Sequence, residues 1–128
     1  MSLEILTFST QQLLYDALTT KGLKVSDFLS MKGDPPWVAI NDISQNPAFS
    51  KERLPIGWQV QVSAQVVSNY RGKKEASEIS QIILDTMYEL QEEQDWGEIT
   101  FSTNMVSVFE ENKKEFFISH TLDFQFIK

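Results

Sequence analysis

The chain has 128 residues, carries a formal net charge of −7 and contains no cysteine. A chain of this length can bury a core without disulfide or metal staples, so residues 1–128 are predicted to form one domain. The lack of cysteine excludes a disulfide framework and a thiolate metal site. No apolar run approaches the roughly 18 residues of a membrane span and no signal-peptide pattern opens the sequence, so we expect a cytosolic protein without a membrane partner.

Charge is distributed unevenly along the chain. The stretch from Glu75 to Asn112 contains ten acidic residues and no lysine or arginine, whereas the rest of the chain contains eight acidic and eleven basic residues. A protein that binds nucleic acid without sequence preference needs a basic surface to neutralise phosphates, and this charge pattern argues against that class. The asymmetry instead favours solubility, or the orientation of one molecule against another.

The first predicted element is a helix over residues 10–21. Ser9 or Thr10 is a candidate N-cap, apolar residues recur on one face, and Gly22 stands where a helix C-cap is expected. Residues 23–35 fit no regular element, and adjacent prolines close this segment.

A short strand is predicted over residues 37–43, with Val38 and Ile40 on one face. Residues 44–56 then form a long polar connection with two prolines and one aromatic residue, Phe49, that has no obvious apolar neighbour in the sequence. A connection of this length in a compact domain is typical of a functional or mobile loop. Phe49 either contacts another subunit or folds back on its own domain.

The clearest pattern in the chain is the alternation over residues 58–66, which predicts a strand with one buried face. One parity is apolar: Trp58, Val60, Val62, Ala64 and Val66. The other parity is polar and uncharged: Gln59, Gln61, Ser63 and Gln65. The polar face suits either solvent or a wet protein interface, in which uncharged hydrogen-bonding groups are common.

A long amphipathic helix is predicted over residues 73–93, with an apolar stripe that suits packing on a sheet: Ala76, Ile79, Ile82, Ile83, Met87 and Leu90. Its charges oppose the preference of the helix dipole. Basic residues precede or open the helix (Arg71, Lys73 and Lys74), and acidic residues crowd its end (Glu89, Glu92, Glu93 and Asp95). These charges are either tolerated because salt screens them, or they meet the opposite charges of a neighbouring copy, head to tail.

Two strands close the chain. Ile99 and Phe101 lie on one parity of the first strand and Val106 and Val108 on the other, which predicts a bulge or bend near Asn104. The second strand places an apolar series on one face: Phe116, Ile118, Leu122, Phe124 and Phe126. The element order α-β-β-α-β-β predicts an α+β fold, with a small antiparallel or mixed four-stranded sheet and helices packed on one face.

Few residues in this sequence support catalysis or ligand binding. His120 is the only histidine and lies on the apolar parity of the last strand, which is more typical of a structural, hydrogen-bonded residue than of a catalytic one. One histidine and no cysteine are too few for a zinc site, and the sequence has neither a phosphate-binding glycine loop nor a nucleophile elbow. We therefore predict no enzyme activity, no catalytic residue, no cofactor and no metal.

Three tryptophans at element boundaries are predicted to anchor loops to the core: Trp37, Trp58 and Trp96.

The stretch from "PPWVAINDI" through a polar loop to "GWQVQVSAQVVSNYRGKKEASEISQIIL" resembles the tail-completion proteins of long-tailed bacteriophages and prophages, which are the tail terminator and head–tail joining proteins of the neck. The shared pattern is an N-terminal helix, a strand after proline, a variable loop and an alternating strand that ends in serine. A short turn with glycine, a long helix that starts with Glu-Ala and two final strands complete it. The resemblance covers nearly the whole chain.

This resemblance implies a structural protein that forms a ring, usually a hexamer, which closes the finished tail tube and docks it to the head connector. DNA passes through the lumen without specific binding. The partners would be further copies of the chain, the tail tube protein and the head connector protein, and the location would be the bacterial cytoplasm during assembly and then the neck of the virion.

Two sets of contact residues follow from the resemblance. The loop 44–56 would contact the tube or the connector through Phe49, Lys51 and Arg53. The contacts between subunits would use the charges at the two ends of the long helix and the polar strand face: Arg71, Lys73, Lys74, Glu92, Glu93, Asp95, Gln59, Gln61 and Gln65.

A second reading from another class remains open. The chain could be an acidic secretion-type chaperone or adaptor, a small homodimer that binds a segment of a partner polypeptide. The chaperone hypothesis predicts a stable dimer with an exposed apolar groove. The tail-completion hypothesis predicts a weakly associating monomer that forms rings at high concentration.

Overall fold

The structure is a computed structural model that describes residues 5–26, 36–49, 52, 55–69, 73–110 and 115–128. It contains two helices and five strands in this order: α1 (Thr7–Thr20), β1 (Val25–Ser26), β2 (Trp37–Phe49), β3 (Pro55–Ser68), α2 (Lys74–Gln94), β4 (Thr100–Glu110) and β5 (Glu115–Ile127). Neither helix combines the length and the apolarity that crossing a bilayer requires.

The strands form one mixed sheet in the spatial order β1-β2-β3-β5-β4. β1 pairs with β2 in parallel, and every other neighbouring pair is antiparallel. The predicted α+β class and the predicted order of helices and strands are confirmed. The sheet has five strands where four were predicted, because the two-residue β1 lies in the segment 23–35 that showed no pattern. Two residues are too few for hydrophobic periodicity to be visible.

Both helices pack on one face of the sheet and share its core. Leu14 and Leu18 of α1 and Ile83 and Met87 of α2 belong to one cluster of buried side chains with the inward residues of the strands. The predicted alternation of β3 is confirmed, since Val60, Val62, Ala64 and Val66 are all buried. The inward series of β5 is also buried from Ile118 to Phe126, and the side chain of Phe116 lies outside the described residues.

Helix α1 begins three residues before its predicted start. Its N-cap is Leu6, so the prediction that Ser9 or Thr10 caps the helix was wrong. The cause is a tertiary contact, because the Oε1 atom of Gln45 on β2 accepts the N–H of Leu6 at 2.6 Å. The predicted C-cap is confirmed: Gly22 adopts a φ of 87°, and the N–H groups around it bond back to the last turn.

Strands β2 and β3 form a hairpin that replaces most of the predicted polar connection. The pairing runs from Trp37 opposite Val67 to Phe49 opposite Pro55, so the prediction of a loop over residues 44–56 was wrong for residues 44–49 and 55–56. Residues 50, 51, 53 and 54 lie outside the described residues. The outward side chains of this part of β2 are polar because that face of the sheet carries no helix. The register shifts between Ile40 and Asp42, which makes Asn41 an unpaired bulge residue.

Strand β4 contains no bulge near Asn104, and that prediction was also wrong. Its register with β5 is continuous from Thr100 opposite Gln125 to Glu110 opposite Glu115. The change in apolar parity arises because β4 lies at the edge of the sheet, where both faces are partly exposed. Phe101 lies on the helix side and Val106 on the other side, and each is 46% exposed.

Helix α2 matches its prediction to within one residue at each end. Asp95 follows it in the left-handed conformation (φ 54°) and ends the helix. Trp96 is then buried with its ring stacked on that of Phe126 at a centroid distance of 4.0 Å, as expected for a loop anchor. No described residue accepts a hydrogen bond from its indole N–H.

Candidate functional site: the helix-free sheet face and the sheet edges

The sheet face opposite the helices carries polar side chains from four strands. We call it the open face, and it consists of alternate side chains of four strands: Asp42, Ser44 and Asn46 of β2; Gln59, Gln61, Ser63 and Gln65 of β3; Ser119, Thr121, Asp123 and Gln125 of β5; Thr100, Ser102 and Asn104 of β4. None of these residues is basic. The predicted contact residues of β3 therefore share one surface with polar residues of three other strands.

Hydrogen bonds cross the open face from strand to strand. Ser44 Oγ donates to Gln61 Oε1 at 3.3 Å, and Gln61 Nε2 donates to Gln125 Oε1 at 3.4 Å. Gln65 Nε2 donates to Ser119 Oγ at 2.5 Å. These bonds link neighbouring strands through neutral donors and acceptors.

Two carboxylates lie within this neutral surface. Asp42, Ser63 and Asp123 are direct neighbours across β2, β3 and β5, so the two acids flank one serine. They line a shallow hollow of about 380 Å³ that also reaches Thr100 and Ser102 of β4.

The opposite charges predicted on α2 lie at its two ends. Lys73 and Lys74 are exposed at its start, and Glu92, Glu93 and Asp95 are exposed at its end. A helix of 21 residues is about 30 Å long, several times the Debye length of about 8–10 Å in physiological salt. The two sets therefore cannot neutralise each other within one copy. Arg71, the third predicted basic residue, lies outside the described residues.

Helix α2 runs along β5. In the first half of the helix, Ser80 Oγ lies 2.6 Å from Nδ1 of His120 on the strand. Just after the helix, the Gly97 N–H donates to the carbonyl oxygen of Ile127 at 2.7 Å. The charged ends of α2 therefore lie toward the two ends of the strands, not toward the two edges of the sheet.

The end of the β2–β3 hairpin carries the predicted tube contact. Phe49 is the last residue of β2 and is 57% exposed, so it does not fold back into the core. β5 ends at Ile127, which pairs with Gln59 of β3. The end of the β2–β3 hairpin that carries Phe49 therefore extends past the end of β5. Lys51 and Arg53 lie outside the described residues.

An exposed groove with a mixed apolar and polar lining runs beside α1, and the sequence did not predict it. Phe8 is 74% exposed, and Ile5 and Tyr15 are also exposed. Two hollows share Phe8 and Gln11: one reaches Asn41 and Ile43 of β2, and the other reaches β1. We call this feature the α1 groove. The signal was present in the sequence, since Phe8 and Tyr15 are two turns apart and lie on one side of the helix.

His120 lies against the core and contacts a hydroxyl group, as predicted from its parity. It is buried beneath α2, and Nδ1 lies 2.6 Å from Ser80 Oγ. The pKa of His120 is lower than its ordinary value because the side chain is buried, and a hydrogen bond to the backbone of Ala76 partly offsets this shift. The described part of the chain holds no group of three or more histidine, aspartate or glutamate residues that could bind a metal ion.

Two comparisons with known proteins found no relative of this chain. No protein-family model matches the chain, and no curated protein is significantly similar to it.

Proposed function

We propose that the chain is a ring-forming structural protein of a phage or prophage neck, which closes the tail tube and helps to join tail and head. The observation that carries the proposal is the open face, which spans four strands without a lysine or arginine. Its partners are further copies of the chain, the tail tube protein and the head connector protein. Assembly takes place in the bacterial cytoplasm, and the product is part of the virion.

A DNA channel needs a wall that does not hold phosphate groups. Each basic side chain on such a wall would gain affinity by releasing counterions from the DNA, and the DNA would stick rather than slide. The open face offers neutral amides and hydroxyls, and its two charges, Asp42 and Asp123, repel phosphate. With the helices on the outside, a ring of copies would present this face to the lumen.

The end of the hairpin suits a contact with the tube or the connector. Phe49 is exposed at the end of β2, and Lys51 and Arg53 follow it in the sequence. An exposed aromatic residue beside basic residues is typical of an interface centre. The open face and this segment between β2 and β3 then serve different partners.

The first test is the molar mass by light scattering over a wide concentration range, with negative-stain images of the most concentrated sample. We expect a monomer that converts to rings, with a hexamer as the expected size. A single mass at all concentrations without rings contradicts the proposal.

The second test addresses the lumen. Rings of the variant Asp42→Lys/Asp123→Lys should bind a short DNA duplex at low salt, whereas wild-type rings should not. The matched control is Asp16→Lys/Asp85→Lys, which changes the net charge equally on the exposed sides of the helices. Equal DNA binding by both variants would mean that the open face does not line the lumen.

The α1 groove favours one other function, that of a chaperone or adaptor that binds a partner polypeptide as a homodimer. Exposed apolar patches on small proteins mark interaction sites. A stable dimer whose mass does not change with concentration, together with binding of apolar peptides that Phe8→Ser abolishes, would support this function over the ring.

A further inference from the structure

Strand β4 is an edge strand without the usual protection of an edge. The ten residues from Thr100 to Phe109 include no charged residue and no proline, and their pairing with β5 has no bulge. Soluble proteins commonly protect such edges with lysine, proline or a bulge, because an uncovered edge pairs with another chain. In the described part of the chain, no strand covers the outer side of β4.

Strand β2 has a second uncovered edge on the opposite side of the sheet. β1 pairs only with Val38 and Ala39, and no described strand lies beside β2 from Asn41 to Phe49. The bulge residue Asn41 lines the α1 groove, and its buried Oδ1 atom has no hydrogen-bond partner among the described residues. This edge therefore has no described strand beside it after Ala39, and it lies next to a buried acceptor and to the exposed side chain of Phe8.

We propose that β4 of one copy pairs with the free edge of β2 in the next copy, so that Phe101 enters the α1 groove beside Phe8. This inference rests on the proposed ring and names the contact that closes it. The occupant is a second copy of the chain because the two uncovered edges match in three respects: strand direction, chemistry and the face of their apolar residues.

The strand directions match. Three antiparallel pairings separate β2 from β4, so the two strands are antiparallel within one sheet. A copy displaced sideways, without being turned over, thus presents β4 antiparallel to the β2 edge of its neighbour. The contact joins two different edges, so it repeats from copy to copy and forms a closed ring when the rotation permits.

The side chains match as well. Phe101 lies opposite Phe124 on the helix side of the sheet and is nearly half exposed. In a continuous sheet, the helix side of β4 joins the helix side of β2, where Phe8 and Ile43 line the groove. The β4 segment and the described lining of the groove are both uncharged. In this arrangement the charged ends of α2 face copies above and below the ring, not the ring neighbours.

Cross-linking tests this contact directly, because the natural chain has no cysteine. The double variant Phe8→Cys/Phe101→Cys should form a ladder of covalent oligomers with a cross-linker that is shorter than the width of the sheet. Within one copy β2 and β4 are three strand spacings apart, about 14 Å, so the two thiols cannot be joined internally. Each single variant should form dimers at most, and a mixture of the two should form dimers only.

The matched control is Phe8→Cys/Gln61→Cys, which places the second thiol on the opposite face of the sheet, and it should give no ladder. Thr103→Cys replaces Phe101→Cys if circular dichroism shows that the latter unfolds. Rings without a ladder would overturn the edge contact and leave the proposed function intact. A ladder from Lys74→Cys/Glu93→Cys instead would assign the ring contact to the ends of α2. A chain with neither rings nor a ladder would contradict both proposals.

Discussion

Replacing Lys73 by glutamate should stabilise the isolated protein and weaken its association with other copies. Lys73 is the N-cap of α2, where the helix dipole presents partial positive charge, and its side chain makes no capping hydrogen bond. A lysine at this position is unfavourable and a glutamate is favourable. The two effects have opposite signs only if the basic residues serve a contact outside the monomer.

The magnitude follows from the dipole. A charge in the first turn is worth about 0.3–1 kcal/mol at low salt, and a reversal counts twice, so Lys73→Glu should add about 0.6–2 kcal/mol. The unfolding entropy of a chain of this size is about 0.27 kcal/mol per kelvin, so Tm should rise by about 2–7 °C. Lys74 is less suitable for this test because its Nζ lies 4.0 Å from Glu78, and reversal would also lose that i,i+4 pair.

The assay is a thermal melt followed by circular dichroism at low protein concentration, in low salt and in 0.5 M salt. Lys73→Gln is the matched control and should show about half the rise in Tm, and high salt should remove most of it. An unchanged or lower Tm in low salt would refute the reasoning. Light scattering should show weaker association for Lys73→Glu/Lys74→Glu, and mixing that protein with Glu92→Lys/Glu93→Lys should restore it. Unchanged association would mean that these residues are ordinary surface charges.

Three further predictions concern the fold. Trp96→Ala should lower the free energy of unfolding by about 3–5 kcal/mol, because it removes the ring stacked on Phe126. Trp96→Phe should cost much less, because it keeps an aromatic ring and removes a buried N–H from which no described residue accepts a hydrogen bond. Denaturant melts measure both variants. The folded state lowers the pKa of His120, so folding favours the neutral form of this side chain. The protein should therefore lose stability as the pH falls from about 6.5 through the lowered pKa. His120→Gln should lose less stability over the same pH range in melts at matched pH. Gly57→Ala should destabilise more than Gly22→Ala in the same melts, because both have positive φ but only at Gly57 would the new Cβ meet a backbone atom, Lys128 O at 2.5 Å.

The elements that the sequence predicted well are those whose side chains meet a single, fully buried face. The alternation of β3 and the stripe of α2 follow directly from the geometry of a strand and a helix against one core. The same reasoning placed His120 against the core. Such local patterns persist because burial of each inward residue favours the same register.

The errors fall where the surroundings, not the local sequence, decide the structure. Residues 44–49 form a strand because β3 supplies their hydrogen bonds, although none of their side chains is fully buried. The bulge expected near Asn104 is absent because an edge strand tolerates apolar residues on both faces. The start of α1 is determined by Gln45, 39 residues away, which no local capping rule includes. The α1 groove was missed because it is defined by the gap between a helix and a strand edge.

Three surface features depart from the usual rules for a monomer, and each lies on a different side of the molecule. The charges of α2 oppose its dipole at the ends of the strands, the β4 edge lacks protective charge, and the open face lacks the mixed charges of a solvated surface. In the proposed ring, these three surface exceptions serve contacts with other molecules. The edges point sideways, the ends of α2 point along the strands and the open face points away from the helices. These are the three directions that a ring around a channel requires: toward neighbours within the ring, toward the rings above and below, and toward the lumen.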